Sequence, residues 1–141
     1  MTRPTAAPPY LPLSRPAIAD GEVEAVADVL RSGWLTTGPR VREFERAFAV
    51  YVGAPHAIAL NSCTAGLHLS LLAAGVGPGD EVVTTPLTFC ATANVVLHVG
   101  ATPVFADVEA DTHSLDPRAV AAALTPRTRA VMAVHLGGRP A

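Results

Sequence analysis

Apolar and polar positions change period along the chain, and the changes mark its elements. Val23, Val26, Ala27 and Leu30 recur at i, i+3, i+4, i+7, which predicts a helix from Asp20 to about Ser32. Asp20 is its candidate N-cap, and Gly33 suits the position just past its end. Gly38-Pro39 interrupts the pattern and lets Pro39 open a second helix, with Val41, Phe44, Phe48 and Tyr51 on its apolar face. Four short apolar runs follow: Ala57 to Leu60, Glu81 to Thr85, Thr102 to Ala106 and Ala130 to Val134. Each has the length of a strand. Helical stretches fall between them, one starting near Asn61 to Thr64, one from about Phe89 to Val99 with Thr88 as N-cap, and one opening at Asp116-Pro117. From Ala57 the order reads β-α-β-α-β-α-β. The expected fold class is therefore α/β, a mainly parallel sheet with flanking helices. Met1 to Pro16 carries five prolines and no period, which predicts an extended amino-terminal arm, with residues 17–141 as the domain.

Ligands in such sheets bind at the carboxyl ends of the strands. The loops expected there are Asn61 to Thr64, Pro86 to Phe89, Asp107 onward and His135 to Pro140. The first, Asn61-Ser-Cys-Thr64, turns through small residues into a helix. Its free N–H groups and the positive end of the helix dipole suit a phosphate, and they equally suit an ordinary cap by Ser62 or Thr64. The second puts Phe89 at a helix start. A flat aromatic beside a phosphate cradle suits a planar ring that carries a phosphate, although Phe89 also reads as a core residue. Cys63 reads either as a nucleophile at a helix N-terminus or as a small packing residue, and no partner base is in sight for it. His68 and His98 read as structural, and His135 as a residue that can reach a ligand.

Composition narrows the picture by exclusion. The net charge is −2, which gives no reason to expect nucleic acid. The start lacks the apolar core of a secretory signal. Ala47 to Gly79 holds no charged residue, but Gly53, Pro55, Asn61 and Ser62 break it, so no membrane span is expected. Two cysteines form no metal-ligand pair and no disulfide framework, which makes a reducing cytoplasm the expectation. The histidines lack i, i+3 or i, i+4 pairs, so no metal site is expected. All ten basic residues are arginine, so these 141 residues contain no Schiff-base lysine.

The ordered motifs resemble the amino-terminal part of the DegT/DnrJ/EryC1/StrS sugar aminotransferases. They are Leu13-Ser-Arg-Pro16, Ser32-Gly-Trp-Leu-Thr-Thr-Gly-Pro39, Asn61-Ser-Cys-Thr-Ala65, Gly77-Pro-Gly-Asp-Glu-Val82, Pro86-Leu-Thr-Phe-Cys-Ala-Thr-Ala-Asn94, Gly100-Ala-Thr-Pro-Val104 and Thr125-Pro-Arg-Thr128. The opening and the Trp34 loop are most similar to the branch that makes 4-amino-4-deoxy-arabinose and related 4-amino sugars. The resemblance implies the amino-terminal part of a fold-type-I transferase large domain that binds pyridoxal 5'-phosphate. It implies that Cys63, Thr64 and Ala65 bind the cofactor phosphate and that Phe89 stacks on its ring. Gly33, Trp34, Leu35 and Thr36 match the loop near the sugar. The implied reaction moves an amino group, expected from glutamate, to a nucleotide-linked keto-sugar in a homodimer. The family's cofactor lysine lies further along than Ala141, so the expectation is a fragment that is inactive alone. A non-catalytic relative of the same fold and a pyridoxal-phosphate sugar dehydratase are the alternatives.

Overall fold

The computed structural model describes residue 10, residue 12 and residues 14–141. The chain divides into two compact units, Met1–Ala59 and Leu60–Ala141. Most of the expected arm lies outside the described residues, and residues 14–19 carry no regular element.

The first unit holds helix α1, Asp20–Ser32, and helix α2, Pro39–Val52. Helix α1 starts one residue earlier than the cap expectation, because Ala19 is the N-cap and Asp20 is already helical. Glu22 does the capping from inside, accepting the Ala19 N–H at 2.9 Å. Gly33 ends α1 with φ 71°, a left-handed conformation that suits glycine. Pro39 opens α2 as its first residue, where the missing N–H costs no hydrogen bond. Phe44 and Phe48, one turn apart, pack with ring centroids 5.8 Å apart.

One expected strand is absent. Ala57 to Leu60 joins no ladder among the described residues. The Ala59 N–H donates instead to Glu45 Oε1 at 2.9 Å. A run of apolar residues becomes a strand only beside another strand, and no described strand pairs with this one.

The second unit contains α3, Cys63–Ala73; β1, Glu81–Thr84; α4, Ala91–His98; β2, Thr102–Phe105; α5, Pro117–Ala123; and β3, Thr128–Met132. A short 3-10 turn, Leu136–Gly138, follows. The three strands are parallel in the order β2-β1-β3. Central β1 is buried along its whole length, while β2 and β3 are partly open. Val82 from β1, Leu71 from α3, Val95 and Val96 from α4, and Val99 just past its end form the core, with Ala101 and Val76 closing its edges. Parallel strands buried on both faces read as continuous apolar runs, which is why Val82-Val83 stood out. Strand β3 begins two residues before the expected Ala130, since Thr128 pairs with Glu81. The register skips Arg129 at that point, so Val82 faces Ala130.

Side chains hold this pairing at both ends. At the amino end, buried Glu81 accepts Thr125 Oγ1 at 2.5 Å and Arg127 Nε at 2.9 Å, and forms a salt bridge with the same guanidinium. At the carboxyl end, Thr84 Oγ1 donates to the Met132 carbonyl at 2.8 Å. The Thr125 hydroxyl first, and then Arg127, hold the Glu81 carboxyl below its ordinary value of 4.5. A group whose folded pKa is depressed stabilises the fold above its unfolded pKa and loses that effect as pH falls through the folded value. Glu81→Gln is therefore expected to lower stability at neutral pH and to make little difference in acid below the folded pKa of Glu81. Urea denaturation of both forms across pH 3 to 7 checks this, and a gap that stays constant with pH would refute it.

Candidate functional site

The start of α3 is built by Ser62. Its backbone is extended, φ −159° and ψ 154°, and its hydroxyl accepts the Ala65 N–H at 3.1 Å. Its carbonyl accepts the Gly66 N–H. The N–H groups of Cys63 and Thr64 find no acceptor among the described residues. Cap and anion site thus coexist at one turn: the cap consumes the Ala65 donor and leaves the two before it free.

A second loop approaches from the end of β1. The buried Thr85 hydroxyl accepts the Leu87 N–H at 3.0 Å, which turns the chain at Pro86. Helix α4 then starts at Ala91, not at Phe89, with Cys90 as its N-cap. Thr88 does not cap it. Its hydroxyl bonds the Thr92 hydroxyl at 2.8 Å, one turn on. Phe89 stays off the helix with 76% of its surface exposed, so it is no core residue. Its ring face is available to a ligand.

These pieces meet at a cavity of about 370 Å³. Cys63, Thr64 and Leu67 line one side, Thr88, Phe89, Ala91 and Thr92 another, and Met132 at the end of β3 with Ala133 to His135 beyond it a third. The volume lies in the usual range for small-molecule sites, about 300–1,000 Å³. His135 Nδ1 accepts the Ala141 N–H at 2.9 Å, which folds the loop back past Gly137 and Gly138. The fit is to a flat ring bearing an anion: donors at Cys63 and Thr64, an aromatic face at Phe89, apolar walls between them. Ala65 does not line the cavity, and neither does the Asp107 loop.

Sequence reading missed Leu67 and the end of β3, and gave Thr92, within the Pro86 to Asn94 motif, no role of its own. Thr92 stands four residues after Thr88, and that i, i+4 pair of hydroxyls was the available signal. His68 and His98 meet edge to face at 5.9 Å across α3 and α4, a contact that spacing within one helix does not reveal. Gly33, Trp34, Leu35 and Thr36 belong to the other unit. There Trp34, Leu35 and Thr36 border a separate cavity of about 410 Å³, together with Asp28, Gly38 and Arg40, while Gly33 does not line it.

An α/β fold with a phosphate-type turn at the carboxyl edge of its sheet defines a class, and the comparisons name the family within it. The sequence profile of the DegT/DnrJ/EryC1/StrS aminotransferase family matches residues 16–141, and the chain belongs to that family. It is 56% identical over 130 residues to the spore coat polysaccharide biosynthesis protein SpsC of Bacillus subtilis, covering 92% of this chain and 33% of that protein. Among solved structures it is similar to the PLP form of Spr1654 from Streptococcus pneumoniae, described as a sugar aminotransferase, at 44% identity and a TM-score of 0.89, covering 93% of this chain and 33% of that one. An aminotransferase from Psychrobacter cryohalolentis is 41% identical with a TM-score of 0.85, covering 92% of this chain and 33% of that one. The chain spans about a third of the length of these relatives.

Removing the Ser62 cap leaves the Ala65 N–H without a partner. Ser62→Ala is expected to destabilise the Leu60–Ala141 unit by about 0.5–2 kcal/mol. Chemical denaturation measures it, and an unchanged midpoint would rule the cap out as a stabilising contact.

Proposed function

We propose that this chain forms the pyridoxal-phosphate cradle of a nucleotide-sugar aminotransferase. The observation that supports the reading best is the cavity joining the Cys63 and Thr64 donors to the Phe89 ring, in a chain of this family. Cys63 and Thr64 would hold the phosphate through their N–H groups, with the α3 dipole adding to the attraction. Ala65 would contribute indirectly, by keeping the Ser62 cap that shapes the turn. Phe89 would lie against the ring and fix its tilt. Apolar Leu67, Ala91 and Val134 would limit water near it. Bound pyridoxal phosphate supplies an aldehyde that takes up an amino group and a ring that withdraws electrons. Gly33, Trp34, Leu35 and Thr36 are read as the sugar-facing loop. Glutamate is the proposed amino donor and a nucleotide-linked keto-sugar the acceptor, with the Trp34 motif favouring a 4-amino sugar.

Two further statements belong to this reading. Large exposed apolar side chains, among them Val23, Leu30 and Phe44, suit a protein that works as a dimer. Both cysteines are free, which suits a cytoplasmic setting. No helix among the described residues is long and apolar enough to cross a membrane.

Cys63 is the first residue of α3 and follows an extended Ser62, so proline fits there without breaking the helix. Cys63→Pro removes one phosphate donor and little else. It is expected to weaken binding of pyridoxal phosphate roughly tenfold, as loss of a hydrogen bond to a charged group implies, and to leave binding of unphosphorylated pyridoxal unchanged. Phe89→Ala is expected to weaken both. Equilibrium dialysis distinguishes the two patterns, and equal loss for both ligands in Cys63→Pro would remove the phosphate assignment. The 141 residues expressed alone are expected to show no amino transfer from glutamate to any keto-sugar nucleotide, since they hold no lysine. Turnover above blank would overturn that.

A further inference from the structure

We propose that Gly38 is a positioning residue: its missing side chain seats the Trp34 indole, and that seat sets affinity for the sugar substrate. The second half rests on the reading of Gly33 to Thr36 as the sugar-facing loop. Gly38 is buried, and its backbone is extended at φ −155° and ψ −157°. Its φ lies outside the left-handed region that favours glycine. The backbone therefore does not call for glycine. The indole does. A Cβ at position 38 would overlap Trp34 Nε1 and lie 2.5 Å from Cδ1 and 2.9 Å from Cε2. Ordinary carbon contacts need about 3.5–4.0 Å.

What gives way under that clash is the ring. The backbone of Trp34 is anchored, since its N–H donates to Ser32 Oγ at 3.2 Å and that hydroxyl donates to the Val29 carbonyl at 2.7 Å. The Gly38 carbonyl accepts the Arg42 N–H in the first turn of α2. Neither contact involves the ring. Among the described residues the indole makes one polar contact, Nε1–H to the Thr37 carbonyl at 3.1 Å, and 54% of Trp34 is exposed. A side chain at position 38 displaces the ring, breaks that hydrogen bond and moves one wall of the 410 Å³ cavity, while α2 keeps its start.

The test uses the full-length protein with Gly38→Ala and Gly38→Ser. Serine is a favourable N-cap, so any effect the two variants share is not a lost cap. Both are expected to raise KM for the keto-sugar nucleotide roughly tenfold, the size of one lost contact, with kcat and KM for the amino donor unchanged. Both are expected to shift the emission of Trp34, taken as the difference from Trp34→Phe. In the Trp34→Phe background, where the clashing ring is smaller, Gly38→Ala is expected to add no further rise in KM. An equal rise in that background, or unshifted emission in both variants, overturns the proposal. A wild-type protein that aminates no keto-sugar nucleotide overturns the functional reading and the second half with it. The emission shift then still decides whether Gly38 seats the indole.

Discussion

Parallel strands have no tight turn between them, so nothing local sets how one lies along the next. In the Leu60–Ala141 unit that task falls to β1, which is buried and has a neighbour on each side. Its last residue, Thr84, is tied by its hydroxyl to the end of β3. Its first residue, Glu81, gathers a hydroxyl and a guanidinium from the approach to β3. With both ends held, Met132 and the residues after it arrive opposite the loops that follow β1 and open α3. The cavity exists because those three segments end at the same level.

The parts of the fold legible in the sequence were those whose cause is local. Asp116-Pro117 reads as a cap and first turn, and the Asp116 side chain does accept the Arg118 N–H at 2.8 Å. Gly33 ends a helix by its own backbone freedom. Val82-Val83 is apolar enough to be a buried strand wherever its partners are. The misreadings share the opposite property. Ala57 to Leu60 has the composition of a strand but lacks a paired neighbour among the described residues. Thr128 and Arg129 look too polar for a strand, yet they lie where β3 first reaches Glu81. Thr88 has a capping side chain, and another hydroxyl claimed it.

The candidate site divides in the same way. Cys63, Thr64, Phe89 and His135 were visible because each stands at a loop that a parallel sheet sends to one edge. Leu67 and Val134 were not, because a helix face and a strand end come together only through packing. The Ser62 hydroxyl takes the Ala65 N–H, an allocation that is decided by geometry and that residue type leaves open. The Trp34 loop was recognisable as a motif. Its dependence on the absence of a single carbon at Gly38 was not, because a close approach leaves no periodic trace.

Glu81 and the ligand-facing end of β1 are three residues apart, about 10 Å along a strand. The contacts that fix the sheet at its amino end thus share no atoms with the loops that could meet a cofactor or substrate. Sequence drift in those loops can retune recognition while the far end keeps the strands aligned. Such separation lets one scaffold diversify in specificity without first surrendering its stability.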